Sequence, residues 1–267
     1  MFSQPQLVFE LAVLGMGVGL LSGLLGIGGA MVMVPALTFI LTDKGYPHEY
    51  TVKAAVATSL ATICFTSLSS VRAHHRRGAV RWDIWKVLAP GILVGSLAGA
   101  QGAVALPGNS LGLLFAVFVA FSATQMLVGR KPGAHHRPLP GAFGTFAAGT
   151  VIGVASALVG AGGAFVSVPF LTWCNVGIHE AVATSAALGF PIALAGTIGY
   201  LWAGRELASQ GPGTFGYLYL PGLLFISLAS VVLAPLGARI AHSLDVKPLR
   251  RGFAVMLYGV SLYFFLR

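Results

Sequence analysis

Between Glu10 and Asp43 the chain carries no charged residue, and this apolar tract is interrupted at Ser22-Gly23-Leu24-Leu25-Gly26-Ile27-Gly28-Gly29, with Pro35 beyond. The same interruption returns 134 residues later as Ser156-Ala157-Leu158-Val159-Gly160-Ala161-Gly162-Gly163, and Pro169 follows at the matching distance. Other motifs recur in the same order. Ala55-Val56-Ala57-Thr58-Ser59 returns as Ala181-Val182-Ala183-Thr184-Ser185, and Pro90-Gly91-Ile92-Leu93 with Ser96-Leu97-Ala98 returns as Pro221-Gly222-Leu223-Leu224 with Ser227-Leu228-Ala229. Phe115-Ala116-Val117 matches Phe253-Ala254-Val255 more weakly. The offsets of 134, 126, 131 and 138 differ because loops accept insertions. Two related halves account for this order, and the function belongs where the two glycine breaks meet.

Only 9% of residues are charged while 56% are hydrophobic, and mean hydropathy is +0.85; an ordinary soluble domain carries roughly 25% charge. Several tracts approach the roughly 20 apolar residues that cross ~30 Å of hydrocarbon, which predicts an all-α polytopic membrane protein. A β-barrel would alternate apolar and polar residues, and these runs do not. The net charge of +9 sits in short loops between apolar runs, as membrane orientation demands, and argues against a nucleic-acid partner. The first apolar run has neither a basic leader nor a small-residue cleavage site, so it is expected to stay as a span. Cys64 and Cys174 lack metal-ligand spacing, and no metal or cofactor is expected.

The segments predict a first repeat over 1–130, a basic linker over 131–140 and a second repeat over 141–267. In the first half they are Leu7–Gly26, a short Ala30–Thr42, Val52–Val71, Ile84–Val104 and Leu111–Val128. The second half follows with Ala142–Gly160, a short Ala164–Cys174, Glu180–Trp202, and then about Tyr217–Ala241 and Leu249–Leu266. The short segments read as broken or re-entrant elements, which a bilayer tolerates only where protein or a water-filled cavity satisfies the free backbone groups.

Treating each short segment as a return stroke gives five membrane entries per half. Eleven Lys and Arg then fall on one side and four on the other, which puts the basic side in the cytoplasm and both termini in the periplasm of an inner-membrane protein. Treating each break as a kink inside one span gives a shallower split, 8 or 9 against 6, and parallel halves. The steeper bias favours inverted-topology repeats of five segments, the architecture of secondary transporters.

Gly-x-Gly-Gly ahead of a short helix leaves backbone N–H groups unpaired at the positive end of a helix dipole, which makes an anion site without a buried cation. Paired half-helix N-termini at Gly26, Gly28, Gly29 and Ala30, and at Gly160, Gly162, Gly163 and Ala164, are the expected cradle. Hydroxyls of Ser22, Thr58, Ser59, Ser156, Thr184 and Ser185 are its expected side-chain donors. The plainer alternative is that the glycines permit tight packing and the hydroxyls bond within their own helices. Arg72 and His74, at the end of the third segment, read either as an anion gate or as topology determinants, and Gln101 and Gln125 read as polar groups lining a pathway or facing the interior. Glu10 reads as a proton carrier or as an interfacial acid. An intramembrane serine hydrolase built on Ser22 or Ser156 would need a nearby general base, and every histidine lies outside the main apolar spans. No catalytic residue is therefore expected.

These residues resemble the TauE/SafE sulfite exporter family, also called TSUP. The likeness rests on Gly26-Ile27-Gly28-Gly29 to Pro35 with Ala57-Thr58-Ser59, and on Gly160-Ala161-Gly162-Gly163 to Pro169 with Ala183-Thr184-Ser185. Arg77-Gly78-Ala79-Val80-Arg81-Trp82 is similar to the family's Gly-x-Val-Asp-Trp stretch, but Arg81 stands where an aspartate is common, so no role of that acid carries over. The resemblance implies export of a small sulfur-containing anion: sulfite, sulfoacetate or a related organosulfonate, and sometimes thiosulfate. Relatives that handle thiosulfate use cysteines along the path, and Cys64 and Cys174 are not equivalent positions of the repeat. No Gly-Lys-Ser or Gly-Lys-Thr is present, so this chain supplies no nucleotide drive. A coupling proton or sodium ion and a homo-oligomer are left open as partners beside the lipid bilayer. A passive anion channel or facilitator is the alternative function.

Overall fold

The computed structural model describes residues 5–25, 30–76, 78–128, 139–207, 212–241 and 246–266. Over these the chain is an all-α polytopic membrane protein of ten helices with one two-stranded hairpin. The first five helices are α1 (Pro5–Leu25), α2 (Ala30–Asp43), α3 (His48–Arg76), α4 (Trp82–Ala105) and α5 (Gly108–Val128). They are followed by α6 (Ala142–Val159), α7 (Ala164–Trp173), α8 (Ile178–Ala203), α9 (Leu220–Ala241) and α10 (Val246–Phe265). Six of these helices are long and apolar enough to cross a membrane. The 14 residues of α2 and the 10 of α7 reach only about 21 and 15 Å. Large apolar side chains face outward along the bundle, among them Phe143 at 86% and Val232 at 73% exposure. Such a surface suits lipid and would aggregate in water.

The most extensive pairings join the two halves: α4 lies along α6 and α8, α1 along α9, α3 along α8, and α5 along α10. The α4–α6 seam is made by glycine. Gly91, Gly95 and Gly99 recur every fourth residue and so share one face of α4, where a methyl group would strike the α6 backbone at Phe146, Thr150 and Val154. Gly149 and Gly153 of α6 return the contact, with carbonyls of Leu88 and Ile92 only 2.5 Å from where a Cβ would stand. Between membrane helices, where lipid offers no hydrophobic drive to associate, such backbone approach supplies the dispersion contact that holds them. The same device binds α1 to α9, where Gly15 and Gly19 lie against Ile226 and Ser230, and Ser230 Oγ donates to the Gly15 carbonyl at 2.9 Å.

Polar ties mark the two ends of the bundle. At one end Glu10 of α1 meets Lys44 just beyond α2 at 3.8 Å, so α2 returns to the end at which α1 began. Glu49 accepts from the Gly108 N–H at 2.7 Å, and Lys53 donates to the Val104 carbonyl at 2.9 Å, which brings the α4–α5 turn to the same end. The hairpin β1 (Thr214–Phe215) and β2 (Leu218–Tyr219) sits there too. Sequence reading starts the ninth segment near Tyr217, but the helix begins at Leu220. Gly216 at φ +56° makes the tight turn and Phe and Tyr fill the strands, so this backbone pairs as strands before helix begins. Tyr46, Tyr50, Tyr200, Tyr217 and Tyr219 cluster around it with ring centroids 5.8 to 6.3 Å apart. Burial pushes the Tyr219 phenol up to about 12 and raises those of Tyr46 and Tyr217.

At the opposite end Arg81 binds Asp83 at 2.7 Å and Glu180, in the first turn of α8, at 3.5 Å. Asp83 and Ile84 also border Leu139, Pro140 and Thr145 at the start of α6. The α2–α3 turn and the α7–α8 turn therefore lie at opposite ends of the bundle. Thermal unfolding in detergent tests the glycine seam: Gly95→Val is expected to lose about 1–3 kcal/mol or more through overpacking against α6. Gly102→Ala, on the same helix with nothing within 4 Å, is expected to be neutral or slightly stabilising.

Candidate anion site

The second glycine break is built by two left-handed residues. Gly160, at φ +71°, ends α6: its N–H and that of Ala161 both close onto the Ser156 carbonyl. Gly163, at φ +77°, starts α7, and no side chain caps that start. Side chains rarely adopt such angles, which is why glycine stands at both positions. The Gly163 carbonyl accepts from the N–H groups of Val166 and Ser167 and from Ser167 Oγ at 2.9 Å. Among the described residues the N–H groups of Gly162, Gly163, Ala164 and Phe165 find no hydrogen-bond acceptor. Four unpaired donors at the positive end of a 10-residue helix form the frame of an anion site.

Helices α3 and α8 wall this break. A Cβ on Gly160 would meet Val56 at 3.1 Å and one on Gly162 would meet Ile63 at 3.6 Å, so α3 presents the face that also carries Ser59. From α8, Ile192 stands against Gly163 and Gly189 approaches the Gly162 carbonyl, which is the face that carries Ser185. Ser156 of α6 brings its Oγ to 3.1 Å from the Cβ position of Gly163. Ser59, Ser156 and Ser185 are each 0% exposed, and among the described residues theirs are the buried side-chain oxygens without a hydrogen-bond partner. A buried hydroxyl left unpaired costs about 1–3 kcal/mol, so three beside one uncapped helix start point to a missing acceptor.

The remaining sequence-predicted residues divide. Thr58 and Thr184 are fully buried and used as acceptors: Thr58 Oγ1 accepts from the Tyr219 N–H just before α9, and Thr184 Oγ1 accepts from the Arg81 N–H just before α4, each at 3.0 Å. Equivalent positions of the two halves thus tie equivalent connections. Ser22 is half-buried in the last turn of α1, and Gly26, Gly28 and Gly29 lie outside the described residues. Ala30 begins α2, whose Val34 reaches to 3.2 Å from the Gly160 Cβ position, so this second short helix starts close to the second break. Arg72 is exposed and His74 half-buried at the far end of α3. Gln101 donates to the Gly199 carbonyl at 3.1 Å, tying α4 to α8, and Gln125 is half-buried on α5. Sequence reading passed over Ser167, Gly189 and Ile192, which carry no motif and are set at the break by helical spacing alone.

A family model described as "Sulfite exporter TauE/SafE" matches residues 11–264. The chain belongs to the TauE/SafE family. A probable membrane transporter protein of Haemophilus influenzae is 32% identical over 93% of this chain and 94% of its own length. One from Methanocaldococcus jannaschii is 28% identical over 96% of this chain and 94% of its own length. YdhB of Bacillus subtilis, also named a probable membrane transporter protein, is 29% identical over 70% of this chain and 76% of its own length. No solved structure matches. This TauE/SafE protein is accordingly a membrane transporter with a glycine break packed between its two halves.

Two substitutions separate the backbone roles at the break. Gly163→Ala is expected to destabilise by about 1–2 kcal/mol from its left-handed angle alone, with the Ile192 contact in addition. Thr58→Val leaves the buried Tyr219 N–H without an acceptor and is expected to lose about 1–3 kcal/mol. Melting curves of the purified variants check both, and a Thr58→Val protein that melts like the parent would remove the tie from the account.

Proposed function

We propose that this TauE/SafE protein is a secondary transporter that exports a small sulfur-containing anion, such as sulfite, sulfoacetate or a related organosulfonate, across the inner membrane. The carrying observation is the set of three buried, unpartnered serine hydroxyls beside the uncapped start of α7. Sulfonate and sulfite oxygens accept several hydrogen bonds at once, and the site offers donors with no competing acceptor. The family description supplies the sulfur chemistry.

Transport proceeds on this reading by alternating access, one half rocking against the other as an inverted repeat, with both termini in the periplasm. Support comes from the duplicated motifs, from the α2–α3 and α7–α8 turns at opposite ends, and from the paired threonine ties. In this scheme the anion is held at both short-helix starts, so that motion of either half carries one wall of the site with it.

Uptake of labelled sulfite or organosulfonate into proteoliposomes tests the reading. Saturable, competable flux that a proton or sodium gradient drives uphill is the expected result. Flux that only follows its own gradient would assign a passive facilitator instead. Ser156→Ala and Ser185→Ala sharpen the test. Removing an unpaired buried hydroxyl is expected to leave unliganded stability equal or higher, while anion affinity falls about tenfold for the loss of one hydrogen bond to a charged group. Loss of stability with unchanged flux would make these serines structural.

A further inference from the structure

The hairpin at 214–219 lies deeper than a surface loop. Thr58, which accepts from the Tyr219 N–H at 3.0 Å, stands ten residues after His48 at the start of α3, so β2 ends about 15 Å along that helix. Tyr217, Leu218 and Tyr219 are all buried. Non-helical backbone is tolerated at such depth in a membrane protein only where protein surrounds it or where it lines a water-filled path.

Its attachments to the two halves differ in kind. To its own half the hairpin is joined by backbone: β2 runs on into α9, and Gly216 packs on Gly204 at the end of α8, where a Cβ would stand 3.0 Å from the Gly204 carbonyl oxygen. To the first half it is tied by side chains. Tyr46 Oη donates to the Pro212 carbonyl and Tyr50 Oη to the Gly216 carbonyl, each at 3.0 Å, beside the bond to Thr58. Bonds of this kind can be exchanged for water without unwinding a helix, so the joint to the first half is the one that can part.

The inner end of the hairpin meets the anion site. Ser59 follows Thr58 on α3, and Ser156 precedes Ala157, whose carbonyl accepts from Tyr200 Oη at 3.3 Å. Tyr200 lies eight residues beyond Ile192 on α8, about 12 Å farther toward the hairpin end, and packs edge-on against Tyr217 with ring centroids 6.3 Å apart. Two of the three unpartnered serine hydroxyls are thus one residue from a group that holds the hairpin or its tyrosines. The tyrosine rings stand between those serines and the end of the bundle.

We propose that the hairpin 214–219 and its tyrosines are the gate that closes the anion site at this end, with Thr58 as the latch. The inference rests on the transport reading above and names its moving part. When the second half rocks away from the first, the bonds to Tyr46, Tyr50 and Thr58 release and the hairpin leaves with α8 and α9. Tyrosine suits this place, because its ring packs dry when the gate is shut and its hydroxyl takes water when the gate is open.

Hydrogen exchange of the full-length protein in detergent, read by mass spectrometry, tests the latch without transport. Thr58→Val and Tyr50→Phe each remove one bond at the joint and keep the bulk of the side chain. Expected in both is exchange across 214–219 about tenfold faster than in the parent, with 79–87 at the opposite end of the bundle unchanged. Faster exchange at both segments together, or a hairpin as protected in both variants as in the parent, overturns the proposal. In proteoliposomes with labelled sulfite, the same variants are expected to lose uphill accumulation severalfold, while the sulfite concentration that gives half-maximal thermal stabilisation stays at the parent value. A loss of sulfite affinity matching the loss of accumulation would put these residues in the site and also overturn the gate. Selective opening at 214–219 with no sulfite flux in parent or variants supports the latch and removes the transport reading.

Discussion

Inside hydrocarbon a backbone N–H or carbonyl has no water to turn to, and this one condition orders the whole molecule. It makes the spans helical, and it makes any interruption of a helix expensive unless something answers the freed groups. The chain interrupts itself at Gly160–Gly163 and answers only part of what it frees. The C-terminal side of that break is closed onto the Ser156 carbonyl, while the N-terminal side of α7 is left with four donors unused.

The two halves interlock so that no part of the break belongs to one of them. Its floor is α6 and α7, its walls are α3 from the first half and α8 from the second, and α2 approaches from the first half. The seams that hold this arrangement, α4 on α6 and α1 on α9, are backbone-to-backbone contacts allowed by glycine.

The sequence made the membrane class, the ten apolar segments and the second break legible, because span length and glycine placement follow from local chemistry alone. Hydroxyl roles were not legible. Thr58, Ser59, Thr62, Thr66 and Ser67 look alike in an apolar run, yet Thr62, Thr66 and Ser67 bond back within α3, Thr58 ties the residue before α9, and Ser59 bonds nothing. Those differences depend on which neighbour lies against each face, and the neighbours come from the other half of the chain. The hairpin at 214–219 was missed for the related reason that two-residue strands leave no period to read.

A cradle of neutral donors also bears on how fast a carrier can let go. A lysine or arginine beside Gly163 would strengthen anion capture, but its charge would be buried and unpaired whenever the site stood empty, a state every alternating-access cycle must pass through. Serine hydroxyls and helix-end N–H groups leave a far smaller debt in the empty state, since each unpaired group costs about 1–3 kcal/mol and no net charge is stranded. On the proposed reading, reversible occupancy follows from the placement of glycine and serine where a cation would have bound more tightly.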